Sequence, residues 1–155
     1  MREEIVRIWR SLFNADVKFI VVGGFAVNFY GYNRNTGDLD LLLEDTPENR
    51  KKLRNAFKEL GLGDFKELES IPFLAGWTDI SLDFGLRLDL MSGLKGLEEY
   101  NFEELKTKAT TVILDGVLID FLDYQSLIKT KRVCGRPKDI LDIEELEKIN
   151  KSENR

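Results

Sequence analysis

At 155 residues, with 43% hydrophobic and 33% charged residues, the chain is sized for one domain with a real core and is too short for two. A net charge of −5 and a pI near 5.0 argue against a protein built mainly to grip nucleic-acid backbone, which takes many Lys and Arg contacts. There is no histidine, and the single cysteine, Cys134, excludes an internal disulfide and the usual zinc cluster; any metal would be held by oxygen, and proton transfer would fall to a carboxylate, a lysine or metal-bound solvent.

No apolar run approaches the roughly 20 residues needed to cross a bilayer. The start, MREEIVRIWRSLF, lacks the basic head, apolar run and small-residue cleavage site of a signal peptide. A cytoplasmic protein is the expectation. In chain order, residues 2–13 set Ile5, Ile8, Trp9 and Leu12 at helical spacing, which predicts a core-facing helix. Residues 17–22 read as a strand ending at Gly23-Gly24, where a short helix over about Phe25–Tyr30 begins and is stopped by Gly31. The polar loop Tyr32 to Thr36 then leads into Asp38-Leu39-Asp40-Leu41-Leu42-Leu43. Alternate residues of a strand share a face, so Asp38 and Asp40 present neighbouring carboxylates while Leu39, Leu41 and Leu43 turn into a core.

Those two ends of one segment suit two kinds of ligand atom. Glycine amides at a helix N-terminus favour anions, and the missing Cβ lets a phosphate approach the main chain at Gly23 and Gly24. Hard divalent ions take oxygen ligands, commonly one or two carboxylates plus substrate phosphates, and Asp38 and Asp40 form such a pair.

Thr46-Pro47-Glu48 predicts the next helix, with a threonine cap and proline in its first turn, a buried stripe of Leu53, Phe57 and Leu60, and Gly61 as the stop. Residues 62–84 give no clear pattern; Leu74 to Trp77 and Ile80 to Leu82 read as strand or loop. Residues 86–91 alternate, placing Leu86, Leu88 and Leu90 on one face and Arg87, Asp89 and Met91 on the other. If this strand lies beside Asp38 and Asp40, Asp89 joins them; the competing reading pairs it with Arg87 or a neighbouring lysine. Asp83 is a rival for the same role within a turn-like context. Asn101 to Glu104 forms a capping box. Residues 112–121 read as a hairpin turning at Asp115-Gly116 with type I′ geometry. Residues 123–133 form a helix, Gly135-Arg136-Pro137 breaks it, and a last helix carries Ile140, Ile143, Leu146 and Ile149 before a frayed tail at 150–155. Lys129, Lys131, Arg132, Arg136 and Lys138 cluster at that break.

The segment GGFAVNFYGYNRNTGDLDLLL resembles the active-site signature of the minimal nucleotidyltransferases in the polymerase-beta-like superfamily, a Gly-Gly or Gly-Ser pair followed by Asp-x-Asp. The Arg34-x-Thr36 pair, the later strand with one more aspartate and the Lys-x-x-x-Gly-Arg-Pro-Lys-Asp stretch are similar to bacterial abortive-infection and toxin-antitoxin members. The likeness spans roughly residues 17–149. It departs from many relatives at Tyr30-Gly31, where they carry a histidine before the glycine.

The resemblance implies a single α/β nucleotidyltransferase domain over 1–149, with a mixed, twisted sheet of about five strands and helices packed on it. It implies transfer of a nucleoside monophosphate from a nucleoside triphosphate such as ATP to a hydroxyl, assisted by two Mg2+ ions, or Mn2+, about 4 Å apart. Asp38, Asp40 and Asp89 would be the metal ligands, with Asp89 as an alternative base toward the incoming hydroxyl. Gly23 and Gly24 would meet the triphosphate, Arg34 would approach a phosphate or brace its loop beside Thr36, and Lys131 would contact the triphosphate with Asp139 orienting it. The acceptor, whether tRNA, protein or small molecule, is left open. An Asp-x-Asp phosphatase and a metal-dependent glycosyltransferase fit the strand context and chain length poorly. A silent nucleotide- or partner-binding module of a toxin-antitoxin-like system, with a partner protein, is the main alternative.

Overall fold

The computed structural model describes residues 2–70, 78–82 and 85–153, without the side chains of Arg2, Thr78 and Asp79. Within them run α1 (Arg2–Asn14), β1 (Phe19–Val22), α2 (Gly23–Phe29), β2 (Asp38–Leu43), α3 (Pro47–Glu59), a single 3-10 turn (Lys66–Glu69), β3 (Thr78–Ser81), β4 (Arg87–Met91), α4 (Phe102–Lys108), β5 (Thr110–Leu114), β6 (Val117–Phe121), α5 (Tyr124–Cys134) and α6 (Pro137–Glu153). The expected segment Leu74 to Trp77 and the rival aspartate Asp83 lie outside the described residues.

The six strands form one mixed sheet in the order β3-β4-β2-β1-β6-β5. β1 and β2 are antiparallel, whereas β2 with β4 and β1 with β6 are parallel. The strand beyond the expected five is β3, which pairs antiparallel with β4 at the sheet edge. It comes from the stretch whose pattern is least regular, because an edge strand of four residues carries little periodicity of its own. At the opposite edge the hairpin turns as its sequence demands: Asp115 and Gly116 both have positive φ, 50° and 80°, the mirror-image turn that matches strand twist.

The core forms where the alternation places it. Leu39, Leu41, Leu43, Leu88 and Leu90 are buried on β2 and β4, and all four residues of β1 are buried. α1 packs on α3 and β6, with Trp9 edge-on to Phe121 and Phe29 stacked on Phe121 at 4.1 Å. Thr46 caps α3 by accepting from the Asn49 N–H, and Asn101 and Glu104 cap α4 reciprocally. Asn49 then ties β1 to β2: its amide donates to the Lys18 and Glu44 carbonyls and its oxygen accepts from the Lys18 N–H.

Two local expectations shift. α2 starts at the glycines themselves rather than at Phe25, and α6 stays helical past Ile149 to Glu153, with Lys148 paired to Glu145. On α6 the inward stripe is Asp139, Asp142 and Leu146, at the three- and four-residue steps of one helix face, while Ile140 is half exposed. Two carboxylates occupy core positions there because three cations from elsewhere meet them.

Candidate active site

The register of the sheet brings the acidic residues together. β2 and β4 run parallel with Asp40 opposite Asp89 and Asp38 opposite Arg87. On the other side, Val22 lies opposite Asp40, so α2 begins beside that carboxylate. Gly23 has φ +64°, and a Cβ there would overlap Asp40 Oδ2. A Cβ on Gly24 would run into Thr36 Oγ1 and Cβ. Both glycines are therefore required by close approach, and Gly23 by its left-handed backbone as well.

An open cleft of about 480 Å³ faces this corner and is lined by Gly23, Asp38, Asp40, Asp89, Lys131 and Asp139, among others. Asp40 sits in a crowded position among them. Burial, then the charge and hydrogen bond of Asp89, then the charge of Asp38, push its carboxyl up to about 7, with Lys131 acting in the opposite sense. That is the response of a carboxylate crowded by its own kind with too little positive charge nearby. Arg87 stands among these acids, its Nε 3.3 Å from Asp38 Oδ1 and its Nη2 3.9 Å from Asp89 Oδ2. Among the described residues no group of three acidic, histidine or cysteine side chains is closed up as a ready metal cage. The donor set still suits a hard divalent cation, being oxygen only, with a surplus of negative charge at Asp40 that such a cation would relieve.

Behind the cleft lies a buried ionic network. Lys131 is 6% exposed, and its Nζ donates to Asp139 Oδ1 at 3.2 Å and pairs with Asp142 Oδ2 at 2.9 Å. Asp142, 1% exposed, also takes two hydrogen bonds from Arg34, Nε to Oδ1 at 2.7 Å and Nη2 to Oδ2 at 2.9 Å. Asp139 accepts from the Arg136 N–H, Nε and Nη2. Burial acts to raise the Asp139 carboxyl, but Arg136 and Lys131 outweigh it and hold the group below its usual range.

Of the residues expected at the site, Gly23, Asp38, Asp40, Asp89, Lys131 and Asp139 share the cleft wall. Gly24, Arg34 and Thr36 do not line it. Thr36 Oγ1 donates to the Asp38 carbonyl at 3.1 Å and fills the space beside Gly24. Of the two readings left open for Arg34, the geometry is that of the brace, since its guanidinium is engaged by Asp142. Asp142 itself gave no sign in the sequence beyond sitting three residues after Asp139 on one helix face. Tyr30, at the departure from the family pattern, donates its hydroxyl to the Leu122 carbonyl at 2.7 Å and lies 3.1 Å from Thr110 Oγ1. It pins the end of α2 to the sheet, a packing task.

The sequence matches no protein-family model and no curated protein. Solved structures do share its architecture. A candidate nucleotidyltransferase from Thermotoga maritima superposes with a TM-score of 0.61 at 19% identity, covering 98% of this chain and 91% of the other. The antibiotic-resistance factor ANT(2'')-Ia gives 0.58 at 16% identity over 96% and 81%. An antigenic nucleotidyltransferase-like protein from Paracoccidioides brasiliensis gives 0.55 at 17% identity over 92% and 73%. The chain has the nucleotidyltransferase fold.

Proposed function

We propose that the protein is a metal-dependent nucleotidyltransferase, moving a nucleoside monophosphate from a nucleoside triphosphate to a hydroxyl. The observation that carries this reading is the meeting of Asp40 with Asp89 across adjacent parallel strands, directly beside the left-handed Gly23 at the start of a helix. Asp38, Asp40 and Asp89 would hold Mg2+, or Mn2+. Two such ions, when bound, would supply the positive charge that stabilises the entering and leaving oxygens of an in-line displacement.

The chain's own groups divide the remaining work. The Gly23 amide, at the cleft wall beside Asp40, receives phosphate oxygens, with the Gly24 amide next to it in the first turn of α2. Lys131, held by Asp139 and Asp142, sets one ammonium group at the cleft wall as a triphosphate contact. Arg34 and Thr36 keep the preceding loop in place. Asp89 takes the proton of the acceptor hydroxyl as its oxygen bonds to the α-phosphorus; the bond to the β-phosphate bridging oxygen breaks and pyrophosphate leaves. Triphosphate supply fits a cytoplasmic setting, and among the described residues no helix is long and apolar enough to cross a membrane.

Incubation with Mg2+ and each α-labelled triphosphate, in the presence of tRNA, protein and small-molecule hydroxyl acceptors, tests the reading. Label should appear on one acceptor class and vanish with Asp38→Asn, Asp40→Asn or Asp89→Asn. Triphosphate binding without transfer to any class would instead support the silent module of a toxin-antitoxin-like pair.

A further inference from the structure

Arg87 is placed in the acidic corner by strand geometry. It shares a face of β4 with Asp89, two residues on, and the parallel register sets it opposite Asp38. Its guanidinium consequently spans the two acids, 3.3 Å from one and 3.9 Å from the other. The same molecule holds a second Arg–Asp link of quite different character. Arg34 and Asp142 meet at 2.7 and 2.9 Å with Asp142 1% exposed, a fixed two-point pair. The Arg87 side chain is 48% exposed, Asp38 39% and Asp89 25%. The contacts Arg87 makes to these two acids are longer and face an open cleft, so they can be exchanged at low cost.

We propose that Arg87 is the resident counter-cation of the acidic site, holding Asp38 and Asp89 while no metal is bound and yielding them when a divalent ion enters together with a triphosphate. The proposal rests on the metal-dependent reading above. A guanidinium matches phosphate oxygens as well as it matches carboxylates. A triphosphate arriving in the cleft adds phosphate oxygens that compensate Arg87 as it leaves the two acids, whereas a metal ion alone must displace it from both while bringing positive charge close beside it. Metal entry thus becomes conditional on nucleotide.

The probe is Mn2+, titrated by loss of its free electron-spin signal, with and without a non-hydrolysable triphosphate analogue. Wild-type protein should bind Mn2+ alone weakly and Mn2+ with analogue far more tightly. Arg87→Gln should bind Mn2+ alone about tenfold more tightly than wild type, about 1.4 kcal/mol, and Arg87→Lys should fall between them. Adding Asp40→Asn to Arg87→Gln should erase the gain. If wild type takes up Mn2+ with the analogue but Arg87→Gln and Arg87→Lys bind Mn2+ alone no better than wild type, the counter-cation role is overturned. If no form binds Mn2+ even with the analogue, the metal-dependent function falls and this inference with it.

Discussion

Arg34 and Asp142 form a two-point ion pair across 108 residues of chain, and the same carboxylate holds Lys131. One buried acid on α6 thereby fixes both the loop that precedes Asp38 and an ammonium group that shares the cleft wall with it. Removing Asp142 leaves two cations without their shared counter-charge in a place with little water. Asp142→Ala should lower the unfolding free energy by about 3 kcal/mol, read from urea denaturation, and should raise the KM for triphosphate more than it lowers kcat.

The crowded carboxyl at Asp40 makes metal-free stability depend on pH. Its folded value, about 7, lies above its ordinary value of 3.8, so the folded state binds the proton more tightly than the unfolded one. The contribution is therefore fully present below pH 3.8 and is lost as pH rises through about 7. In chelator, denaturation midpoints should fall between pH 5 and pH 8, and Asp40→Asn should flatten that fall. At pH 8 the variant should be the more stable protein, by on the order of 2 kcal/mol, although it transfers nothing. Mg2+ should reverse the trend, since a cation favours the ionised acid.

Gly23 and Gly61 both have positive φ, +64° and +75°, but only Gly23 has a neighbour in the space a Cβ would take. Gly61→Ala should cost about 1–2 kcal/mol for the backbone alone. Gly23→Ala should cost more, because Asp40 must move as well, and it should abolish triphosphate binding measured by calorimetry, where Gly61→Ala leaves it unchanged.

Tyr30 stands where the resembling family often has histidine, yet its hydroxyl is spent on the Leu122 carbonyl. Tyr30→Phe should cost about 1 kcal/mol of stability and leave transfer rates unaltered. A loss of transfer without a loss of stability would assign the hydroxyl to the chemistry instead.

What could be read from the sequence was local. Alternation gives Asp38 and Asp40 one face of β2 and Arg87 and Asp89 one face of β4, and Asp115-Gly116 specifies its turn through the positive φ it tolerates. Thr46 and Asn101 mark helix starts by their side chains. The arrangement behind the cleft was not legible in the same way. A carboxylate at Asp142 reads as a solvated helix position until Lys131 and Arg34 are brought to it by the docking of distant elements, and no periodicity encodes that meeting. Arg87 shows the intermediate case: the strand pattern put it on the same face as Asp89, but only the inter-strand register reveals that Asp38 shares it. β3 stayed open between strand and loop because its four residues lean on β4 for their order.

The order of synthesis has a bearing on this arrangement. The strands bearing the acids leave the ribosome well before α6, which supplies the carboxylate that holds Arg34 in the loop ahead of Asp38. A nascent chain can lay down most of the sheet, yet Lys131 and Arg34 gain their buried carboxylates only when Asp139 and Asp142 swing into position, so the cleft wall is completed with the emergence of α6 rather than with the appearance of the acidic motif.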